Sequence, residues 1–196
     1  MRLGRCYKPG HHPYVASMLS ALTATEMAFL QIAVLQAVAA LLWGLGAWLA
    51  QAERAALAHW SAYAGLSAVT WMLLSLHFRS PPLLVVLIGV CSVIALRRGI
   101  RLYIGRPLGW ATPALMLALV LAGGALAQEA NWRPLQAVIN FAVLAALYLA
   151  TAFDLRRHAL EDLHWRFPLA LSLPLLLGGV AFGSRALRAA LAPESV

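Results

Sequence analysis

The most charged segment of the sequence is also the one whose ligand-type side chains are best spaced. It runs from Phe153 to Phe167 and reads FDLRRHALEDLHWRF. Asp154 and His158 stand four residues apart, as do His158 and Asp162, so a helix would place all three on one face. Structural zinc takes three or four ligands that converge in a tight geometry, which this spacing alone does not provide. We therefore expect a salt-bridged amphipathic helix at a membrane surface here, and no metal site.

Two polar side chains interrupt a long apolar run further upstream. Gln136 and Asn140 are one helical turn apart, and polar groups at membrane depth need hydrogen-bond partners. They either join neighbouring helices or line a pocket for a small ligand. Trp71 and His77, at the end of another run, complete the candidate ligand-binding set. His77 either titrates near neutral pH as a sensor or caps its helix at the membrane interface.

The sequence groups no residues for covalent or acid–base catalysis. It contains no Ser/His/Asp or Cys/His set with a recognisable local signature, and no GxxxxGK[ST] phosphate-binding loop. Of the two cysteines, Cys6 lies in a polar tail and Cys91 inside an apolar run, without a CxxC motif. We expect no catalytic residues, no cofactor and no metal in this chain.

Composition identifies lipid as the solvent for most of these residues. Of 196 residues, 62% are hydrophobic and 11% are charged, and the mean hydropathy is +0.78. Soluble domains carry about 25% charged residues. The net charge of +8 would suggest nucleic acid in a soluble protein. Here the basic residues separate apolar runs, so membrane topology explains them and we expect no nucleic-acid partner.

Six apolar runs predict an all-α fold. We expect a polytopic membrane protein with about six antiparallel transmembrane helices joined by short loops, since a bilayer core needs about 20 apolar residues per helix. Pro113, Pro134 and Pro168 stand at or near predicted helix starts, where a missing N–H costs nothing. The predicted spans lie near 27–50, 60–77, 82–96, 111–127, 134–153 and 167–182. An N-terminal tail (1–26) precedes this membrane domain (27–183), and a C-terminal tail (184–196) follows it.

Arginines cluster on one side of this predicted topology. The stretch ALRRGIRLYIGRP, residues 95–107, follows the third run. With the fifth-run loop it supplies the residues expected to meet lipid headgroups and set topology: Arg97, Arg98, Arg101, Arg106, Arg156 and Arg157. The loops after runs one, three and five carry eight arginines, against four in the loops and C-terminal tail on the other side. The positive-inside rule makes the richer side cytoplasmic and both termini external.

The N-terminal tail weakens that orientation, because its Arg2, Arg5 and Lys8 raise the poorer side to seven. The tail either lies on the surface, with an interfacial helix near 15–25, or translation starts at Met18 or Met27. The remaining alternative is a cytoplasmic N-terminus with one helix misassigned. In each case we expect the bacterial inner membrane, with anionic headgroups as a partner of the arginines.

Three stretches taken in order carry a family resemblance. They are ERAALAHWSAYAGL (53–66), ALRRGIRLYIGRP (95–107) and NWRPLQAVINFAVLAALYLATAFDLRR (131–157). This order resembles the N-terminal multi-span sensor region of bacterial membrane-bound diguanylate cyclases, the GGDEF proteins. The resemblance implies a helical membrane module that precedes a cytoplasmic domain making cyclic di-GMP. That catalytic domain is absent, because Gly123-Gly124 and Gly178-Gly179 lack the acidic pair that its motif requires.

The expected function is therefore a sensory or regulatory membrane module without its own catalytic domain. It is either a truncated sensor half, whose longer parent would be a diguanylate cyclase, or a stand-alone relative. Its expected protein partner is a second copy or another membrane or signalling subunit. The alternative is a small transporter or channel-like protein, against which stands the lack of acidic residues at helix centres. An integral-membrane enzyme is a third reading, and only the charged loop of residues 154–166 supports it.

Overall fold

The computed structural model describes residues 23–76, 83–106, 109–129, 133–161 and 168–191. These residues are helical apart from short connections, which confirms the all-α class. The helices in chain order are α1 (Ala24–Leu49), α2 (Arg54–Ser75), α3 (Leu83–Tyr103), α4 (Ala111–Glu129), α5 (Arg133–Glu161) and α6 (Pro168–Leu191).

Three of the described helices are long and apolar enough to cross a bilayer. They cover Ala24–Leu49, Leu83–Tyr103 and Pro134–His158, and the apolar part of α4, Ala111–Ala127, is shorter. α2 is less apolar because it carries His59, Ser61 and Ser67, and α6 carries Arg185 and Arg188 near its end. The structure therefore supports a membrane protein with three apolar helices of spanning length.

The helices form a row with its core near the middle. α1 packs on α2, α2 on α3, α3 on α5 and α5 on α6, while α4 contacts both α3 and α5. The buried core lies where α3, α4 and α5 meet, and it consists of Val90, Val93, Ile94, Val120, Val143 and Leu147. Branched and γ-branched side chains interlock well at such contacts, where dispersion rather than water exclusion holds membrane helices together.

The first three helices alternate in direction, as the ring contacts at their ends demonstrate. Phe29 near the start of α1 packs against Trp71 near the end of α2, with ring centroids 5.3 Å apart. Trp43 near the end of α1 packs edge-on against Trp60 near the start of α2, at 5.0 Å. Trp60 in turn contacts Tyr103 at the end of α3, at 5.6 Å. The ends of α1 and α3 therefore lie together, and α2 returns between them.

The helix bounds differ from the predicted spans at five ends. α2 begins at Arg54 rather than near 60, and α6 continues to Leu191 rather than ending near 182. α1 begins at Ala24, before the expected position 27, because Thr23 and Glu26 form a capping box. The Thr23 hydroxyl accepts from the Glu26 N–H at 3.3 Å, and the Glu26 carboxylate accepts from the Thr23 N–H at 2.7 Å. α3 continues to Tyr103 rather than ending near 96, and α5 continues to Glu161 rather than near 153. The charged residues expected in loops thus lie on helices.

Candidate functional site at the arginine end of the bundle

The last two turns of α3 hold three arginines inside the helix. Arg97 and Arg101 are one turn apart and face α5, whereas Arg98 is rotated by about 100° towards α4. All three side chains are half-buried. Arg106 lies beyond the helix end and is exposed, after Gly105 reverses the chain with a positive φ of 70°. We call the group Arg97, Arg98, Arg101, Asp154 and Trp110 the arginine end.

Asp154 of α5 receives two of these arginines. Arg97 donates from Nη2 to Oδ2 of Asp154 at 3.0 Å, and Nη1 of Arg101 lies 3.5 Å from Oδ1. The Arg97, Arg101 and Asp154 side chains are 13%, 22% and 25% exposed, so solvent screens these pairs only partly. One carboxylate thus links the end of α3 to the end of α5, two helices of spanning length.

Arg98 is held by an aromatic ring instead of a carboxylate. Its guanidinium carbon lies 3.9 Å from the centroid of Trp110, just before α4, a distance typical of a cation–π contact. Trp110 itself is 72% exposed, so this side of the arginine end opens onto the surface. With three guanidinium groups and one carboxylate, the arginine end carries a net charge of +2.

Several nitrogen donors in this region have no acceptor among the described residues. They are buried and comprise Nε of Arg97, Nη1 of Arg98, Nε of Arg101 and, on the α2 side, Nε1 of Trp60. Native proteins leave few buried N–H groups unsatisfied, and each case needs an explanation such as an ordered water or an ion. The excess of donors over acceptors gives this end of the bundle its capacity to hold an anion.

Gly99 permits the close approach of α2 to the arginine end. It is buried, and a Cβ placed there would lie 2.5 Å from Nε1 of Trp60 and 3.1 Å from the carbonyl oxygen of Ala56. The Trp60 ring therefore lies directly on the α3 backbone between Arg98 and Ile100. Glycine allows this contact because it has no side chain.

His158 is buried, at 2% exposure, one turn after Asp154 on α5. Of the described residues, no three His, Cys, Asp or Glu side chains come together as a metal would need. Asp162, the third member of the predicted ligand-type face, lies outside the described residues. Arg156 and Arg157 are exposed on the last turns of α5, where lipid headgroups could reach them.

The predicted ligand-binding residues are distributed over two helices. Asn140 is buried on α5 and its Oδ1 has no hydrogen-bond partner within the described ranges, whereas Gln136 is half-buried one turn earlier. Trp71 of α2 packs against Phe29 of α1. α2 and α5 share no extensive interface, so Trp71 belongs to a different contact region from Asn140. His77 lies outside the described residues.

Two shallow recesses lie at the same end of the bundle as the arginines, and neither is lined by Gln136 or Asn140. One, of about 160 Å³, lies between α2 and the end of α3 and is lined by Ala52, Glu53, Ala55, Ala56, Leu102 and Tyr103. The other, of about 290 Å³, lies between α1 and α2 and is lined by Gly44, Ala47, Trp48, Arg54, Ala58 and Ser61. The ligand-pocket interpretation of Gln136 and Asn140 therefore stays a prediction.

The sequence predicted the arginines and singled out Asp154, but it did not predict that Asp154 pairs with Arg97 and Arg101. Asp154 was paired with His158 by local spacing, whereas its charged partners Arg97 and Arg101 lie on another helix. The signal that points to this contact is topological. Alternating helices bring the ends of α3 and α5 to the same side, and Asp154 is a carboxylate in the second half of α5.

Comparison with known proteins identifies no relative. No protein family matches the chain, and neither do any of the curated proteins or the solved structures. The resemblance to the sensor regions of diguanylate cyclases therefore stays a prediction from the sequence.

Proposed function

We propose that the chain is a sensory or regulatory module of the bacterial inner membrane, with its arginine end at the cytoplasmic surface. The observation that carries the proposal is the link from Arg97 and Arg101 to Asp154. This link joins the ends of two apolar helices where they would leave the hydrocarbon, so it stands where charges at the membrane surface can compete with it.

We propose six membrane crossings, and the directions of the helices support this topology. α1, α3 and α5 have spanning length, and the contacts at their ends support a common direction for all three. In the proposed topology the chain returns across the bilayer twice, through α2 and α4. α6 packs antiparallel to α5, with the Arg185 guanidinium 6.0 Å from the ring of Phe141 in the first half of α5.

The energies involved allow the membrane surface to act on this link. Attraction of an arginine to an anionic leaflet is worth about 1 kcal/mol. Coupling between partly buried charges in contact is typically about 0.5–3 kcal/mol. Because the two are comparable, anionic headgroups that draw Arg97 and Arg101 away from Asp154 can shift how α3 packs on α5. A ligand shifts an equilibrium only by its difference in affinity for the two states, and here the competing anion supplies that difference.

The output of the module would pass to a partner through the membrane or at its surface. We propose that this partner is a second copy of this chain, another membrane subunit or a cytoplasmic enzyme domain such as a diguanylate cyclase. α1 offers a broad apolar surface, because it packs on α2 alone among the extensive helix contacts and exposes Leu35, Leu41 and Leu42. Lipid or a partner helix would cover that surface.

Distances between spin labels at the helix ends test the proposal. In a chain with both cysteines replaced, labels are attached to Tyr103→Cys on α3 and Phe153→Cys on α5, both exposed positions. We expect the distance distribution to change when zwitterionic vesicles are replaced by vesicles containing phosphatidylglycerol. A matched pair at Leu84→Cys and Ala142→Cys, also exposed and on the same two helices, should not change. Identical distributions for the first pair in both lipids would refute the sensory role.

A further inference from the structure

The unsatisfied donors at the arginine end point to a specific ligand chemistry. Nε of Arg97, Nη1 of Arg98 and Nε of Arg101 are buried without an acceptor in the part of the chain that the structure describes. All three belong to positively charged groups, for which an unpaired buried donor is especially costly. A negatively charged partner that is rich in acceptor oxygens and poor in donors fits all three groups.

We propose that the arginine end binds one phosphate group through the guanidinium groups of Arg97, Arg98 and Arg101. This inference rests on the proposed function in placing the site at the membrane surface. A phosphate presents several oxygens to several donors at once, and the planar guanidinium fork matches two oxygens at a time. The phosphate comes either from a phospholipid headgroup or from a soluble phosphate, and both share this chemistry.

The arrangement of the three arginines suits a shared oxyanion. Arg97 and Arg101 lie on one helical face, where Asp154 holds them by Nη2 and Nη1 and leaves their Nε groups for another acceptor. Arg98 lies on the neighbouring face with its guanidinium stacked on Trp110. Two different contacts thus restrain the side chains before the anion arrives, which lowers the entropy lost on binding.

Access to this site lies on the Trp110 side. Trp110 is exposed, and the Arg97 and Arg101 side chains retain part of their surface. A tryptophan at this level is typical of the membrane–water interface, where headgroup phosphates also lie. A phosphate that enters beside Trp110 meets Arg98 first and then the two arginines held by Asp154.

Substituting Asp154 should change phosphate affinity in the opposite direction to substituting an arginine. The Asp154 carboxylate competes with the phosphate for Arg97 and Arg101 and repels it. Removing that charge with Asp154→Asn should tighten phosphate binding, whereas removing an arginine charge should weaken it. Arg98→Gln is the sharpest loss variant because Arg98 is not paired with Asp154, so the link between α3 and α5 stays intact.

The experiment uses the purified full chain in an uncharged detergent. Native mass spectrometry counts bound phosphatidylglycerol, and isothermal titration measures inorganic phosphate. We expect one site, weakened roughly tenfold by Arg98→Gln, the change that corresponds to loss of one charged hydrogen bond. Arg54→Gln removes the same charge from an exposed position at the start of α2, at the same end of the bundle, and should leave that site unchanged. Circular dichroism checks that each variant folds. Arg98→Lys keeps the positive charge but loses the planar guanidinium group, so together the two controls distinguish lost binding from lost folding.

Each outcome decides the proposal. Binding of phosphatidylglycerol alone assigns the site to a lipid headgroup, and binding of inorganic phosphate as well assigns it to soluble phosphates. Equal losses in Arg98→Gln and Arg54→Gln, or no defined site for either probe, would overturn it. Defined binding together with unchanged α3–α5 distances would refute the sensory role and leave the phosphate site in place.

Discussion

Substituting Gly99 with alanine should force α2 and α3 apart at the arginine end. The added methyl group would lie 2.5 Å from Nε1 of Trp60 and 3.1 Å from the carbonyl oxygen of Ala56. The Trp60 ring cannot simply swing away, because it packs against Trp43 at 5.0 Å and Tyr103 at 5.6 Å. Overpacking of this kind costs about 1–3 kcal/mol.

The same helix provides a matched control for this substitution. Gly89 also faces α2 from α3, but a methyl group there would lie 3.7 Å from Cγ2 of Thr70, an ordinary van der Waals contact. Replacing glycine by alanine inside a helix gains about 0.5–1 kcal/mol from reduced backbone freedom. Gly89→Ala should therefore be neutral or stabilising. Both variants share the backbone gain, so Gly99→Ala should be less stable than Gly89→Ala by the overpacking cost alone, about 1–3 kcal/mol.

Unfolding in mixed micelles of increasing dodecyl sulfate content measures this difference. Tryptophan fluorescence follows the transition, and Trp60→Leu should relieve part of the loss in the Gly99→Ala background because the ring that clashes is gone. If Gly99→Ala and Gly89→Ala unfold at the same dodecyl sulfate fraction, the close contact between Gly99 and Trp60 is not formed and the reasoning fails.

Three further predictions concern the ion pair, the first helix and the orientation. A double-mutant cycle with Arg97→Gln and Asp154→Asn, read from the same unfolding assay, should give a coupling of about 0.5–3 kcal/mol; additive effects would contradict the contact. Thr23→Ala should cost about 1 kcal/mol and speed amide exchange in the first turn of α1, and unchanged exchange would count against the capping box. Cysteines introduced at Arg106 and Arg156 should react with an impermeant maleimide from the cytoplasmic side only, and labelling from outside would reverse the orientation.

Helix content was predictable because hydropathy and helix-start chemistry are local properties. Long apolar runs marked the helices, and Pro113, Pro134 and Pro168 indeed occupy the first turns of α4, α5 and α6. The start of α1 was placed too late because the apolar run begins at Met27. The Thr23-x-x-Glu26 capping box, visible in the sequence, carries the better signal for a helix start.

The arginine end was harder to predict because its contacts are not local. Charges were predicted to end the third and fifth spans, yet α3 and α5 continue through them, and Arg97 pairs with Asp154, 57 positions away. No periodicity within one helix encodes that pair. The near approach of Trp60 to Gly99 is equally invisible locally, since it depends on how α2 and α3 pack.

The most direct test of the account compares the wild-type protein with Asp154→Asn in the spin-label measurement. If anions act by competing with Asp154 for Arg97 and Arg101, removing its charge mimics a saturated membrane surface. The Tyr103–Phe153 label distance should then respond to phosphatidylglycerol in the wild-type protein but stay fixed in Asp154→Asn, at the value that the wild type reaches in anionic lipid. An equal response in both proteins would contradict the central role of this ion pair.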